Sequence, residues 1–111
     1  MRLVILESPY AGDVDANVLY ALRCVRDSLA RGEAPIASHL VYPRVLNDDD
    51  PTERQWGVYA GLAWREVAHA TVVYVDRGIS GGMEYGIARA KKRGIPIEYR
   101  RLDTASAKLS T

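Results

Sequence analysis

The most chemically loaded stretch of the chain is Ser80-Gly81-Gly82-Met83-Glu84, set between a β-branched run, Thr71–Val75, and a segment with helical spacing. Strand, glycine-rich turn and helix together aim backbone N–H groups and a helix N-terminus at an anion. A carboxylate in the first helical turn, one position past the capping-box slot, is free to reach into the cleft and is kept ionised by the helix dipole. Glu84 is therefore a candidate site carboxylate, with Ser80, Gly81 and Gly82 as the candidate anion nest. Four further groups fall where strands end: Tyr10 with Ser8, Gly12 and Asp13; His39; the run Asp48–Asp50, including Asp49; and Asp76.

Each of these residues also has a purely structural reading. Ser80-Gly81-Gly82 makes an ordinary N-cap and tight turn, and Glu84 an acid that the helix dipole stabilises by roughly 0.3–1 kcal/mol. Tyr10 suits a packed turn and His39 a satisfied structural histidine. Asp48–Asp50 suits a solvated loop ending in a cap. No Gly-x₄-Gly-Lys-Ser/Thr run is present, so a P-loop triphosphate site is unsupported. One cysteine and two histidines, His39 and His69, give no metal-ligand spacing, and no metal or cofactor is expected.

The elements that must position these groups alternate. Arg2–Leu6 reads as a strand that ends at the Pro9–Gly12 turn. A helix follows, with Val14, Val18, Leu22, Val25 and Leu29 as its apolar stripe. Gly32 closes it, and Pro35 opens a second strand over Ile36–Val41. Asp50-Pro51-Thr52-Glu53 carries three helix-start signals: an N-cap, a proline at the first position and a capping box through Glu53. Trp56, Tyr59, Ala63, Val67 and Ala70 form the expected buried face. Thr71–Val75 should be an interior strand, because β-branched uncharged runs suit burial on both faces. The last helix ends at Gly94, and Pro96 confines the final strand, Ile95–Tyr99, to an edge or to a start at the proline.

This alternation predicts an α/β protein with a mostly parallel sheet of four or five strands and helices on both faces. In such sheets ligands bind beyond the carboxyl ends of the strands, which gathers Ser8–Asp13, His39–Asp50, Asp76–Glu84 and the stretch after Tyr99 on one rim. With 111 residues, 48% hydrophobic and 26% charged, the chain fits one domain over residues 1–103 with a polar tail at 104–111. A net charge of +1 lacks the basic field of nucleic-acid binders. No apolar stretch reaches membrane-spanning length. No signal-peptide pattern occupies Met1–Leu6, and the single Cys24 suits a reducing compartment, so a cytoplasmic location is expected.

The motifs Ser8-Pro9-Tyr10-x-Gly12-Asp13, Asn17, Ser38-His39-Leu40, Leu46-x-x-Asp49, Pro51-x-Glu53-Arg54 and Ser80-Gly81-Gly82-Met83-Glu84-x-Gly86-x-Ala88 resemble the nucleoside 2-deoxyribosyltransferase-like superfamily. That superfamily includes the deoxynucleoside 5′-monophosphate N-glycosidases. The chain looks closest to short, functionally unassigned members common in bacteriophage genomes. The resemblance runs from about Leu3 to Arg101 and implies a three-layer Rossmann/flavodoxin-like fold. It makes Glu84 the nucleophile and Tyr10 the tyrosine that positions it. Ser80 and its neighbouring amides fall where monophosphate-specific members hold the 5′-phosphate. The aspartate these enzymes usually carry before the central strand is replaced near Ala63, with Asp76 or Asp48–Asp50 as candidate substitutes. The implied activity is cleavage of the N-glycosidic bond of a 2′-deoxynucleoside 5′-monophosphate, by hydrolysis or base exchange. A non-catalytic nucleotide-binding module on the same fold is the alternative. The implied partners are a small-molecule nucleotide and a second copy of the chain, with Trp56, Tyr59 and Trp64 as interface aromatics.

Overall fold

The computed structural model describes residues 1–102. In chain order its elements are β1 (Arg2–Glu7), α1 (Val14–Ala30), β2 (Glu33–Ile36), a 3₁₀ turn (Ser38–Leu40), α2 (Tyr42–Val45), α3 (Pro51–Val67), β3 (Ala70–Tyr74), α4 (Gly81–Lys92) and β4 (Ile97–Arg100). The strands form one parallel sheet in the order β2-β1-β3-β4. The α/β architecture is the expected one, with four strands among the described residues. The expected polar tail lies outside those residues.

β3 is interior, as its composition requires, and all five of its residues are buried. Alternation along β1 and β3 divides the core in two. Val4, Leu6, Val72 and Tyr74 pack with Tyr20 and Cys24 of α1 on one face. Val73 packs with Met83 and Ile87 of α4 on the other. The first crossover runs outward from β1 and the next two run the opposite way, so the chain reverses direction between β1 and β3. That reversal is where open α/β sheets place their ligand crevice. No described helix is long and apolar enough to cross a membrane.

Five local expectations are corrected. The second strand is Glu33–Ile36, not Ile36–Val41, and Ser38–Leu40 curls into a 3₁₀ turn. The reason is electrostatic: the buried Glu33 carboxylate receives both terminal nitrogens of Arg100, each at 2.7 Å, together with Ser28 Oγ and Arg2. This pulls Glu33 into the sheet opposite Arg2. The final strand likewise starts later than expected, at Ile97, with Pro96 just before it on an edge.

α1 turns a different face to the sheet. Asn17, Tyr20, Ala21, Cys24 and Ser28 are buried, whereas Leu22 and Leu29 of the apolar stripe are half exposed. Small side chains let the helix sit close to the strands. Tyr20 and Ser28 are satisfied there by Asp76 and Glu33. Burial pushes the Cys24 thiol up to about 12.

α3 is also rotated. Arg65 is its buried residue, and Trp56, Tyr59, Ala63 and Val67 are exposed. Ala70 is buried, but as the first residue of β3. Asp50 does cap α3 by accepting from Thr52 N at 2.9 Å. Glu53 does not close a capping box, because its carboxylate accepts from Asn47 N instead.

Arg100 and Glu33 join the two edge strands through a pair whose side chains are 6% and 7% exposed. Arg100 holds the Glu33 carboxyl down at about 2, against an ordinary value of 4.5. A carboxyl depressed on folding contributes stability that is complete above its unfolded value and lost as pH falls through its folded value. Wild-type unfolding free energy from urea titration should therefore fall between about pH 5 and pH 2. Glu33→Gln should be less stable at neutral pH, with a shallower fall over the same window. Parallel curves for the two proteins would refute this account of the pair.

Candidate functional site

Two cavities open at the carboxyl edge of the sheet. The larger, about 590 Å³, lies between the Ser38–Asp48 segment, α3 and the first turn of α4. Its walls include Ser38, His39, Tyr42, Leu46, Asp48, Arg54, Leu62, Arg65, Gly81, Gly82 and Tyr85. The smaller, about 580 Å³, sits over the crossover reversal between Pro9, Ala11, Asn17 and Arg77–Ser80. Both volumes fall in the range of small-molecule sites.

The base of the site is made by three elements. Glu7, at the end of β1, accepts from Arg65 Nη2 of α3 at 2.6 Å, and both side chains are about nine-tenths buried. Gly86 of α4 lies directly over this pair. A Cβ there would stand 2.6 Å from Glu7 Oε2 and 2.7 Å from Arg65 Nη2, distances real Cβ atoms do not adopt. Burial raises the Glu7 carboxyl above its ordinary value, and the Arg65 guanidinium opposes that rise. Next to it, Ser8 Oγ and His39 Nε2 share a hydrogen bond of 2.7 Å. Burial, aided by the nearby Arg65 charge, lowers His39 to about 4, so its imidazole is neutral at physiological pH.

The expected site residues divide among these features. His39, Gly81 and Gly82 line the larger cavity, and Ser80 lines the smaller. Ser80 is the N-cap of α4, accepting from Met83 N at 3.3 Å, while the Met83 thioether accepts from Ser80 N. Glu84 is solvent-exposed in the first turn of α4 and is not among the residues walling either cavity. Tyr10 is half-buried, and its carbonyl accepts from the Asn17 side chain. Asn17 also bonds Ala11 O and receives Arg77 Nε, which ties the first loop to the third.

Asp76 is engaged structurally, since its carboxylate accepts from Tyr20 OH at 2.7 Å and from Leu102 N at 2.9 Å. Asp13 caps α1 by accepting from Ala16 N, and Gly12 is an exposed turn residue with φ +97°. Asp49 is exposed in the loop; its neighbour Asp48 lines the larger cavity instead. Sequence reasoning missed Glu7, Arg65, Arg54 and the role of Gly86. The signal for the ion pair was slight: Glu7 is a charge at the end of an apolar strand, and Arg65 lies on the side of α3 opposite the face expected to be apolar.

A four-stranded parallel sheet flanked by helices defines the class: an α/β domain of flavodoxin-like fold, with a cavity at the carboxyl edge of its sheet. Within it, the chain matches DUF7768, a domain of unknown function, over residues 2–100 and belongs to that family. No curated protein matches. A solved 2-deoxyribosyltransferase from the psychrotolerant bacterium Bacillus psychrosaccharolyticus is similar in fold. The TM-score is 0.67 at 16% identity, over 89% of this chain and 72% of that one. That enzyme is described as a biocatalyst for the synthesis of antiviral and antitumoral nucleosides.

Because Gly86 covers the Glu7–Arg65 pair, Gly86→Ala should destabilise the protein by about 1–3 kcal/mol, the usual cost of overpacking. Gly82→Ala, whose Cβ would meet nothing within 4 Å, should be neutral or slightly stabilising through its better helix propensity. Urea denaturation of the two variants checks the contrast, and equal midpoints would contradict the packing described.

Proposed function

We propose that this protein binds a 2′-deoxynucleoside 5′-monophosphate in the larger cavity. The observation that carries the reading is the make-up of that cavity. Leu46, Val58, Leu62 and Tyr85 offer apolar surface to a base, and the first turn of α4 offers backbone N–H groups to a phosphate. The fold shared with a 2-deoxyribosyltransferase supports a nucleoside-type ligand.

Binding without turnover is what the geometry supports best, since Glu84 is exposed outside the cavity walls and Ala63 stands exposed on α3. The catalytic reading is cleavage of the N-glycosidic bond by hydrolysis or base exchange. Glu84 would trap the oxocarbenium-like sugar and Tyr10 would orient the carboxylate. One observation favours it: Glu84 shares the first turn of α4 with Gly81 and Gly82, which do wall the cavity.

One experiment separates the readings. Deoxynucleoside monophosphates should bind at least about tenfold more tightly than the matching nucleosides by calorimetry, since charge-assisted hydrogen bonds are worth about 1.5–3 kcal/mol each. Chromatography of the same mixtures shows whether free base forms. If it does, Glu84→Gln should lower turnover by several orders of magnitude while binding survives. An active Glu84→Gln protein would remove Glu84 as nucleophile, and equal affinities for nucleotide and nucleoside would remove the phosphate assignment.

The exposed aromatics of α3, Trp56 at 59%, Tyr59 at 59% and Trp64 at 45%, fit burial against a second copy of the chain. Sedimentation velocity at micromolar concentration should give a dimer or larger species, and a monomer would refute the assembly.

A further inference from the structure

Arg65 offers more than a partner for Glu7. The residue is 9% exposed, with Nη2 committed to Glu7. Its other terminal nitrogen, Nη1, is buried and has no hydrogen-bond partner among the described residues. Buried guanidinium N–H groups are rarely left without an acceptor. This one belongs to a side chain that lines the larger cavity.

The surroundings define the acceptor. A second guanidinium, Arg54, lines the same cavity. So do Gly81 and Gly82, whose N–H groups precede the first intrahelical bond of α4, Glu84 N to Ser80 O at 2.9 Å. Neither glycine has a heavy atom within 4 Å of its Cβ position, so bare backbone is open to a ligand. α4 runs for 12 residues, long enough for its dipole to favour negative charge at this end. His39 adds no charge, being neutral. Asp48 is the one carboxylate among the lining residues. Glu7 sits behind Arg65 and holds its guanidinium in one orientation, which turns a flexible side chain into a fixed donor.

We propose that Arg65, fixed by Glu7 and joined by Arg54, is the receptor for an oxyanion of phosphomonoester type in the larger cavity. The inference deepens the nucleotide reading by assigning the phosphate to a buried guanidinium as well as to the turn that begins α4. It stands apart from the identity of the rest of the ligand. A nucleotide, a sugar phosphate and inorganic phosphate share the chemistry that Nη1 recognises.

The test is calorimetric titration of the full chain with inorganic phosphate, 2-deoxyribose 5-phosphate, a deoxynucleoside monophosphate and the matching nucleoside. Arg65→Lys keeps a cation for Glu7 but loses the second donor nitrogen. It should weaken every phosphate-bearing ligand at least about tenfold and leave nucleoside affinity unchanged. Arg54→Ala should weaken the same ligands less. The paired neutral variant Glu7→Gln/Arg65→Gln removes both charges together and serves if the lysine variant does not fold. In the wild type, the assigned Arg65 Nε–H resonance should shift on adding phosphate, a reading that needs no variant. Unchanged phosphate affinity in either folded variant, or an Arg65 resonance indifferent to saturating phosphate, would overturn the proposal. If 2-deoxyribose 5-phosphate binds through Arg65 as tightly as the nucleotide, the receptor stands and the nucleotide reading fails. If the nucleotide binds and Arg65 is indifferent, the receptor fails alone.

Discussion

The site depends on one contact, the buried pair of Glu7 and Arg65 beneath Gly86. It joins the end of β1 to α3 and is roofed by α4, so one bond sets the spacing of the three elements that meet at the larger cavity. A buried ion pair is poor evidence of net stability, because desolvation offsets most of the attraction. Its effect is geometric instead. Losing either partner leaves an uncompensated charge, which costs about 3–5 kcal/mol and keeps α3 from rolling toward the alternative its apolar residues would prefer. This accounts for the exposure of Trp56 and Tyr59: α3 is oriented by a charge, and its aromatic surface faces where that orientation leaves it.

The parts of the fold that were legible in the sequence are those governed by local rules. Thr71–Val75 reads as an interior strand because β-branched residues suit two-sided burial, and Asp50-Pro51 and Ser80 cap helices through their own side chains. Three misreadings share one cause. The faces of α1 and α3 and the start of β2 are all set by long-range polar contacts: Tyr20 with Asp76, Arg65 with Glu7, and Glu33 with Arg100. Periodicity counts apolar residues, so it follows a stripe even where a buried polar network overrides it. The site was half legible for the same reason. The loops at strand ends were legible from their turn residues, whereas the Glu7–Arg65 pair came from a strand-end acid and from the side of α3 expected to face solvent.

A division of labour follows among the acidic residues. Asp76, Asp13 and Glu33 hold the scaffold: the first ties β3 to α1 and to the chain after β4, the second caps α1, and the third links the sheet edges. Glu7 holds the cavity floor. Glu84 and Asp49 are left on the surface, outside the cavity walls. Most of the acids nearest the sheet therefore already have structural partners.

The lone thiol, Cys24, supplies a built-in clock. It lies fully buried between α1 and the sheet, and its high proton affinity leaves almost no thiolate at neutral pH. A soluble alkylating reagent meets it only when α1 lifts from the strands. Where reclosing is faster than alkylation, the labelling rate of the native protein reports the population of that opening, read at one atom without any probe being introduced.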